Sequence, residues 1–335
     1  MIVAVDNGFG LTKVFPGKKV FPSILADFIV ADYEMNFGKK DDTDQIISHG
    51  KDIYFVGDIA RRQGNPKSNI SSERLVSDEG LLFVLSGLVN SYKPGNHDIK
   101  HDIKLVVGLP VSDYNLKNKY SFKLKGLKRV LTYNLLGEVT GEYLFNISDI
   151  SVIPQPLGTV FYGLLDDTGD IVNMDFTKKV GIIDIGFYTV DLARVDHLEF
   201  IQKDSMSFND SGINLIYQEI SKEIYRKFKK EVSIEKLDPI LQSGVIHVLG
   251  EVHSIYQIGQ DAITRAADKL ISKIKTIWEN LWELDLILIT GGGAALMGES
   301  LKFKLEHSNV TNFEEDGIFT NCKGYYRYGK RKWKE

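Results

Sequence analysis

The chain has 335 residues, which is enough for two domains of ordinary size. Its 43% hydrophobic and 26% charged residues are typical of a globular protein and argue against intrinsic disorder. A net charge of −4 gives no support for direct binding of nucleic acid, and a single cysteine, Cys322, excludes an internal disulfide and a cysteine metal site.

The first half of the chain begins with a meander of short strands. Strands are predicted at residues 2–5, 11–15, 20–25, 52–56, 104–109 and 150–153, with a β-hairpin at 128–145. The polar stretch 32–50 is predicted to be an insertion loop or small subdomain rather than core. A helix is predicted at residues 73–92, where leucines recur on one side.

Two prolines bracket Gln155 where the first half ends. Residues 153–158 have the sequence Ile-Pro-Gln-Pro-Leu-Gly, and a helix is predicted at 157–165 with Pro156 in its first turn. On composition alone, this segment is a turn that opens the helix.

Apolar periodicity predicts two helices in the second half, at residues 213–229 and 255–282, with a small outer subdomain at 232–250. An apolar strand at 284–290 then runs into three consecutive glycines, 291–293. Such a run allows close approach of the backbone to a flat ligand, and the alternative is a tight strand-to-helix corner. The basic residues 330–334 are predicted to be a solvated end.

The sequence Asp-x-Gly-Phe occurs twice, from Asp6 and from Asp184, each time after an apolar strand. In a Walker loop or a dinucleotide fingerprint the glycines open a helix, whereas here a strand-like segment follows, which predicts a hairpin. Two copies in matching context suggest two similar half-molecules, each contributing one hairpin to a shared cleft. Such hairpins can clamp a polyphosphate, and their aspartates would hold a hydrated Mg²⁺.

These motifs resemble those of the actin/Hsp70/sugar-kinase ATPase superfamily, over nearly the whole chain. The superfamily's two phosphate motifs, its connecting segment and its adenosine motif resemble residues 6–13, 184–191, 152–163 and 286–297. Further segments resemble the bacterial and archaeal actin-like proteins of the ParM/StbA plasmid-segregation type, at residues 54–60, 106–111, 240–250 and 324–326.

The resemblance implies an α/β fold of the two-domain actin-like (ribonuclease H-like) ATPase type, with a nucleotide cleft between the domains. Domain I would comprise residues 1–156, with an insertion subdomain at about 32–60 and a C-terminal return at 309–335. Domain II would comprise residues 157–308, with an outer subdomain at about 213–255.

The resemblance also implies a site for ATP or GTP with Mg²⁺. Phosphate contacts, mostly from backbone N–H groups, are expected at Gly8, Phe9, Gly10, Gly186, Phe187 and Tyr188. Asp6 and Asp184 would hold Mg²⁺ through water, and Lys13 would neutralise the phosphates unless it is only a surface lysine. Further residues expected at the nucleotide are Thr189, Gly212, Lys222, Glu223, Gly291, Gly292, Gly293 and Ala294.

Gln155 matches the family position that orients the attacking water, and with Asp184 it is the expected catalytic residue. Glutamine can hold a water by donating and accepting hydrogen bonds, but it is a poor base. The implied mechanism is therefore positioning of the water together with charge stabilisation, as in other phosphoryl transfers.

The implied function is an ATPase that polymerises into nucleotide-dependent filaments and segregates plasmid or other DNA through a DNA-bound adaptor, without touching DNA itself. The alternative is a sugar or carboxylate kinase of the same superfamily, although no aspartate lies in a supporting signature. An Hsp70-like chaperone would need a further substrate domain, and a non-catalytic nucleotide-binding scaffold stays open.

Metal-binding His/Cys clusters and Walker or hydrolase motifs are absent from the sequence. No apolar run approaches the ~18–20 residues of a membrane span. We therefore expect a cytoplasmic protein with no membrane partner.

Overall fold

A computed structural model describes residues 1–31, 43–66, 72–92, 100–209, 211–313 and 317–334. Residues 32–42 of the predicted insertion and 314–316 of the predicted C-terminal return lie outside the described residues. The strands are β1 (Ile2–Asn7), β2 (Leu11–Phe15), β3 (Lys19–Pro22), β4 (Leu25–Asp27), β5 (Gln45–His49), β6 (Asp52–Val56), β7 (Lys100–Leu109), β8 (Gly126–Tyr133), β9 (Val139–Pro154), β10 (Val180–Ile185), β11 (Thr189–Asp196), β12 (Glu199–Phe200), β13 (Met206–Asn209), β14 (Val245–Val248), β15 (Glu251–Ser254), β16 (Leu286–Thr290) and β17 (Val310–Asn312). The α-helices are α1 (Asp58–Gln63), α2 (Asp78–Asn90), α3 (Lys117–Leu124), α4 (Leu157–Leu164), α5 (Ile213–Phe228), α6 (Leu237–Ser243), α7 (Tyr256–Ile277), α8 (Ala294–Leu305) and α9 (Thr320–Lys332).

Two compact units make up the chain, one formed by Met1–Met174 with Phe319–Glu335 and the other by Asp175–Ile318. The predicted division after residue 156 stays a prediction. Helix α4, which follows that point, packs against α9 within the first unit.

The first unit is built on a mixed sheet with the strand order β3-β2-β1-β7-β9-β8-β5-β6-β4. Strand β7 is parallel to both β1 and β9, and its residues alternate between two apolar layers. Leu105 and Val107 pack in the cluster that contains α2, whereas Val106 packs with Cys322 and Tyr325 of α9. The central strands are therefore covered on both faces, as parallel strands require.

The second unit repeats this plan on a smaller scale. Its sheet has the order β12-β11-β10-β16-β17, with β13 paired to β11, and β10 is parallel to β16. Ile183 and Ile289 lie in one apolar cluster with residues of α5, α7 and α8. The α/β class predicted from the sequence is confirmed in both units.

Three predicted elements differ from the observed ones. The helix predicted at 73–92 is interrupted at Ser77, which caps α2 by accepting a hydrogen bond from the Gly80 N–H, and a 3-10 helix precedes it. The helix predicted at 255–282 ends at Ile277. Within the stretch 32–50, expected to be a loop or small subdomain rather than core, β5 is a sheet strand whose Ile47 is fully buried.

The basic C-terminal segment is exposed at Arg331, Lys332 and Lys334, as expected of a solvated end, but its side chains are also hydrogen-bonded to the first unit. Lys332 Nζ donates to Ser151 Oγ at 3.2 Å, and Trp333 Nε1 donates to Asp149 Oδ2 at 2.8 Å. Arg331 also donates to the carbonyl oxygen of Gly169, at 3.3 Å. Among the described helices, none combines the length and apolar character that a membrane crossing requires.

Candidate functional site

The two Asp-x-Gly-Phe segments form β-hairpins, as predicted, and the two hairpins have the same register. In the first, Asp6 lies opposite Lys13, and the Gly8 N–H donates to Leu11 O at 3.1 Å. In the second, Asp184 lies opposite Asp191, and the Gly186 N–H donates to Thr189 O at 2.8 Å. A Cβ at Gly8 would lie 2.9 Å from Leu11 O, and one at Gly186 would lie 3.0 Å from Thr189 O. Each turn therefore needs its glycine.

Side chains from elsewhere in the first unit hold the carbonyl groups of the first turn. The carbonyl oxygen of Gly8 accepts hydrogen bonds from Arg74 Nη2 at 2.9 Å and from Ser23 Oγ at 2.7 Å. Ser23 also donates its N–H to Gly10 O at 2.9 Å. Arg74 is only 3% exposed, and its guanidinium lies 5.2 Å from the ring centre of Phe9.

Backbone N–H groups at the N-terminus of α5 bind the carbonyl groups of the second turn. The N–H groups of Gly212, Ile213 and Asn214 donate to the carbonyl oxygens of Tyr188, Gly186 and Phe187 at 3.3, 3.2 and 2.8 Å. A Cβ at Gly212 would lie 2.6 Å from both Gly186 O and Phe187 O. Gly212, which was expected near the phosphates, therefore lies directly against the second turn.

Backbone N–H groups remain on the turns once the carbonyl groups are bound. Among the described residues, we find no acceptor for the N–H groups of Phe9, Gly10, Phe187 and Tyr188. A turn whose carbonyl groups are fixed and whose N–H groups are open is suited to binding an anion. The positive guanidinium behind one turn and the positive helix end behind the other favour negative charge at both.

Asp6 is the centre of a buried polar group in the first unit. Its carboxylate is 2% exposed and accepts hydrogen bonds from Lys13 Nζ at 2.9 Å and Gln155 Nε2 at 2.7 Å. The backbone of Gln155 is itself fixed. Its backbone N–H donates to Leu109 O at 2.7 Å, and its backbone carbonyl oxygen accepts from the Tyr325 hydroxyl at 3.0 Å. The side-chain nitrogen Nε2 of Gln155 thus donates to Asp6, and the side-chain oxygen Oε1 is left as an acceptor.

Two further groups beneath the first hairpin stay neutral. Burial raises the pKa of the Tyr120 hydroxyl to about 12. Burial, with a smaller effect of the Asp6 charge, also raises the pKa of the Cys322 thiol. That thiol lies 3.5 Å from the carbonyl oxygens of Ala4 and Lys13 on the two strands of the hairpin.

The three glycines after β16 lie at the end of β10 that carries Asp184. Gly291 has a positive φ of 88°, and a Cβ there would lie 2.3 Å from Asp184 Oδ1. Gly293 donates its N–H to Ile185 O at 2.9 Å, and its Cβ would lie 2.3 Å from Ile185 Cγ2. A Cβ at Gly292 would meet nothing within 4 Å. Gly291 and Gly293 thus form the tight corner, and Gly292 faces open space ahead of Ala294, the first residue of α8.

Lys222 and Glu223 lie on α5, about 15 Å along the helix from the second turn at 1.5 Å per residue. Lys222 lines a depression of about 700 Å³ with Tyr225 and Arg226. Glu223 lines a smaller one of about 400 Å³ and accepts a hydrogen bond from Arg226 Nη1 at 2.7 Å. The structure therefore does not bring these two side chains to the hairpin turn.

The carboxylates fit a hydrated Mg²⁺ better than a directly bound one. Each oxygen of Asp6 accepts one protein hydrogen bond and keeps lone-pair capacity for water. Asp184 is almost as buried, beside the backbone of Gly291. Sequence reasoning missed Arg74 and Ser23, because nothing near them in the chain marks them as partners of a turn.

Two family models match successive stretches of the chain. Residues 4–158 match the N-terminal domain of actin-like proteins, and residues 182–303 match the C-terminal domain of the archaeal MreB-like actin homologues. The chain belongs to the actin-like proteins. Comparison with curated proteins finds no match.

Solved structures extend the likeness to the whole chain. The archaeal actin homologue Ta0583 is 22% identical with a TM-score of 0.81, and 99% of each chain is covered. Its complex with ADP is 21% identical with a TM-score of 0.78, again over 99% of each chain. The subunit of a 15-stranded ParM filament from Clostridium botulinum is 22% identical with a TM-score of 0.75, over 98% of this chain and 99% of that one. The predicted actin-like fold is confirmed, and it is shared with ParM filament proteins.

Proposed function

We propose that the chain is an ATPase that binds ATP through the N–H groups of both hairpin turns and assembles into nucleotide-dependent filaments. The observation that carries the proposal is the shared construction of the two turns, whose carbonyl groups are bound by Arg74 and by the start of α5. The fold likeness to an archaeal actin homologue in complex with ADP and to a ParM filament supports it.

In this proposal the phosphates are bound by the N–H groups of Phe9, Gly10, Phe187 and Tyr188, with Lys13 adding positive charge. Gln155 Oε1 accepts a hydrogen bond from the attacking water while its side-chain amide nitrogen donates to Asp6. Asp6 and Asp184 would bind a hydrated Mg²⁺, which when bound neutralises charge on the phosphates.

The base would approach the backbone at Gly292, where a Cβ meets no neighbour. Lys222 and Glu223 stay proposed contacts of the ribose and base, as the sequence predicted. GTP stays possible as the nucleotide in this proposal, because backbone contacts alone do not choose between the two bases.

We further propose a role in segregating plasmid or other DNA through a DNA-bound adaptor. The fold shared with ParM supports this role, and the net charge of −4 favours an adaptor over direct DNA contact. The purified chain should therefore leave the mobility of duplex DNA in a gel unchanged.

The proposal can be tested by mixing the protein with Mg-ATP and following 90° light scattering and released phosphate at the same time. The Asp184→Ala variant is the control. We expect scattering to rise before phosphate release, and only above a threshold protein concentration. Phosphate release that is proportional to concentration without scattering would contradict filament assembly and favour a soluble enzyme, for which sugar acceptors would then be screened.

A further inference from the structure

A short stretch of the first unit concentrates positive charge. Residues 115–129 have the sequence Asn-Leu-Lys-Asn-Lys-Tyr-Ser-Phe-Lys-Leu-Lys-Gly-Leu-Lys-Arg. They include six of the chain's 41 Lys and Arg residues and none of its 45 Asp and Glu residues, although the chain as a whole is negatively charged. The stretch contains α3 and the beginning of β8. The proposed nucleotide site uses none of these residues.

The buried positions of α3 decide which of its side chains face outward. Tyr120 and Leu124 are fully buried and pack in the apolar cluster that contains α2. They are four residues apart, so they lie on one face of the helix. Phe122 is two residues from each and therefore lies on the opposite face, where it is 87% exposed. The core of the first unit thus makes no use of this phenylalanine.

Lysines lie on both sides of Phe122 on the outer face of α3. Lys119 is three residues before it and Lys125, the C-terminal cap of the helix, is three residues after it. This spacing places neighbouring side chains on one helix face. Both lysines are exposed, and within the described part of the chain neither has a carboxylate partner. We call Lys119, Phe122 and Lys125 the α3 stripe.

The beginning of β8 adds apolar surface and further positive charge beside the α3 stripe. Leu127 is 58% exposed there. Lys128 follows it, and burial together with the positive charge of Lys123 lowers the pKa of Lys128. Keeping two ammonium groups near each other costs free energy unless an anion compensates their repulsion. The region is therefore suited to negative charge that comes with an apolar group.

Carboxylates border the basic area and limit what can cover it. Asp78, whose side chain is 85% exposed, pairs with Lys123, and Glu142 pairs with Arg129 at 2.6 Å. A membrane surface or a DNA duplex would bring rows of phosphates close to these carboxylates. Helix α3 has only eight residues, about 12 Å at 1.5 Å per residue. A single peptide segment matches this size and can place its own carboxylates on the stripe alone.

We infer that the α3 stripe is a docking site for an acidic segment of a partner protein, one that carries an apolar side chain among its Asp and Glu residues. The lysines attract the carboxylates, and Phe122 with Leu127 provides the apolar contact. The inner face of α3 lies towards the first turn, since the Tyr120 hydroxyl is close to the Asn7 side chain. The docked segment lies on the outer face, so the inference goes beyond the proposed function and does not depend on it.

A synthetic fluorescent peptide of Asp and Glu residues around one central Leu tests the inference by fluorescence anisotropy at low ionic strength. We expect saturable binding to the full chain that weakens as salt is added. Phe122→Ser should lower the affinity about tenfold, because an aromatic anchor is lost. The double variant Lys119→Glu with Lys125→Glu should abolish binding. All three side chains are exposed, so thermal melting should match the wild type.

The second unit offers a matched control. Phe303 is 85% exposed on α8 and follows the exposed Lys302, so Phe303→Ser and Lys302→Glu should bind the peptide like the wild type. Equal affinities of Phe122→Ser and Phe303→Ser would overturn the inference, because the peptide would then bind by diffuse charge attraction. Absence of peptide binding to the wild-type chain would overturn it as well.

Two other polyanions decide between classes of partner. Vesicles that contain phosphatidylserine and duplex DNA should not bind to the wild-type chain under the same conditions. Binding of either one that the double lysine variant abolishes would assign the stripe to lipid or to nucleic acid and overturn the inference. The peptide affinity should be the same with and without Mg-ATP. A chain that binds the peptide but not Mg-ATP contradicts only the nucleotide proposal.

Discussion

Gln155 Nε2 donates a 2.7 Å hydrogen bond to Asp6 Oδ1, although the two residues are 149 positions apart in the sequence. The bond joins the segment that precedes α4 to the strand that leads into the first hairpin turn. Lys13 Nζ forms an ion pair with the other carboxylate oxygen of Asp6. The Asp6 carboxylate therefore holds both Lys13 and the side chain of Gln155. Any movement of the Asp6 carboxylate would therefore move the amide that is proposed to hold the water.

Gln155→Ala should lower ATP turnover while leaving nucleotide binding intact. The variant removes the acceptor for the attacking water, and loss of such a positioned group costs roughly 10²-fold in rate. Phosphate release under saturating Mg-ATP measures the rate, and titration with a fluorescent ATP analogue measures affinity. The control is Gln202→Ala, on an exposed glutamine of the second unit. Unchanged turnover in Gln155→Ala would remove this residue from the mechanism.

Arg74→Met should weaken both the fold and ATP binding. It leaves the carbonyl oxygen of Gly8 without its guanidinium donor, and the loss of a buried charged donor costs about 2–4 kcal/mol of unfolding free energy. The turn is then free to rotate its N–H groups away from the phosphates. Urea unfolding and ATP titration measure the two effects.

Two further variants separate charge from geometry at this position. Arg74→Lys keeps the charge but loses the planar fork that reaches both Gly8 O and Ser23 O, so we expect an intermediate ATP affinity. Arg61→Met, on an arginine in a solvent-exposed pair with Asp58, should behave as wild type. Wild-type ATP affinity in a folded Arg74→Met protein would show that the arginine only fills space.

The sequence was sufficient for the two hairpins because their requirements are local. The glycine, the carboxylate and the strand residues of each hairpin lie within eight positions, so the hairpins themselves follow from the pattern. Arg74 could not be found in this way, because it reaches Gly8 O across 66 positions. Only the folded sheet brings the two together.

Strand β5 and the contacts of the C-terminal segment were missed for the same reason. Strand β5 pairs on one edge with β6, the next strand along the chain, but its other edge pairs with the distant β8, where Ile47 lies opposite Thr132. The basic C-terminal segment has the composition of a solvated end, yet Lys332 and Trp333 bind Ser151 and Asp149 across more than 180 positions, at sequence separations of 181 and 184. Contacts at such distances leave no periodic trace in either segment.

Gly292→Ala should fold normally but bind nucleotide more weakly. Its Cβ meets nothing within 4 Å in the protein, so a loss of affinity would place the ligand beside it. Thermal melting checks the fold, and ATP titration checks the affinity. Gly291→Ala is the matched comparison and should destabilise the protein, because its φ is 88° and its Cβ would meet Asp184 Oδ1 at 2.3 Å. Wild-type affinity in Gly292→Ala would exclude contact with the base at this position.

Cys322 should resist thiol reagents in the native protein and react once the first unit unfolds. Its side chain is fully buried, and burial raises the pKa of the thiol, so the reactive thiolate is scarce at pH 8. Labelling with a chromogenic disulfide reagent over a urea series should follow the unfolding curve recorded by circular dichroism. Rapid labelling without urea would contradict the packing of α9 against β1 and β2.

Because burial raises the pKa of the Cys322 thiol, we expect the unfolding free energy to depend on pH. The unfolded thiol ionises near pH ~8.5, whereas the folded one stays protonated to higher pH, so the unfolded state loses its proton first. The unfolding free energy should therefore be unaffected by this group below pH ~8.5 and should fall by about 1.4 kcal/mol per pH unit above it. Cys322→Ala removes the contribution, so the difference in unfolding free energy between pH 7 and pH 10 should be smaller in the variant than in the wild type. Equal pH dependence in the two proteins would mean that the thiol reaches solvent when folded.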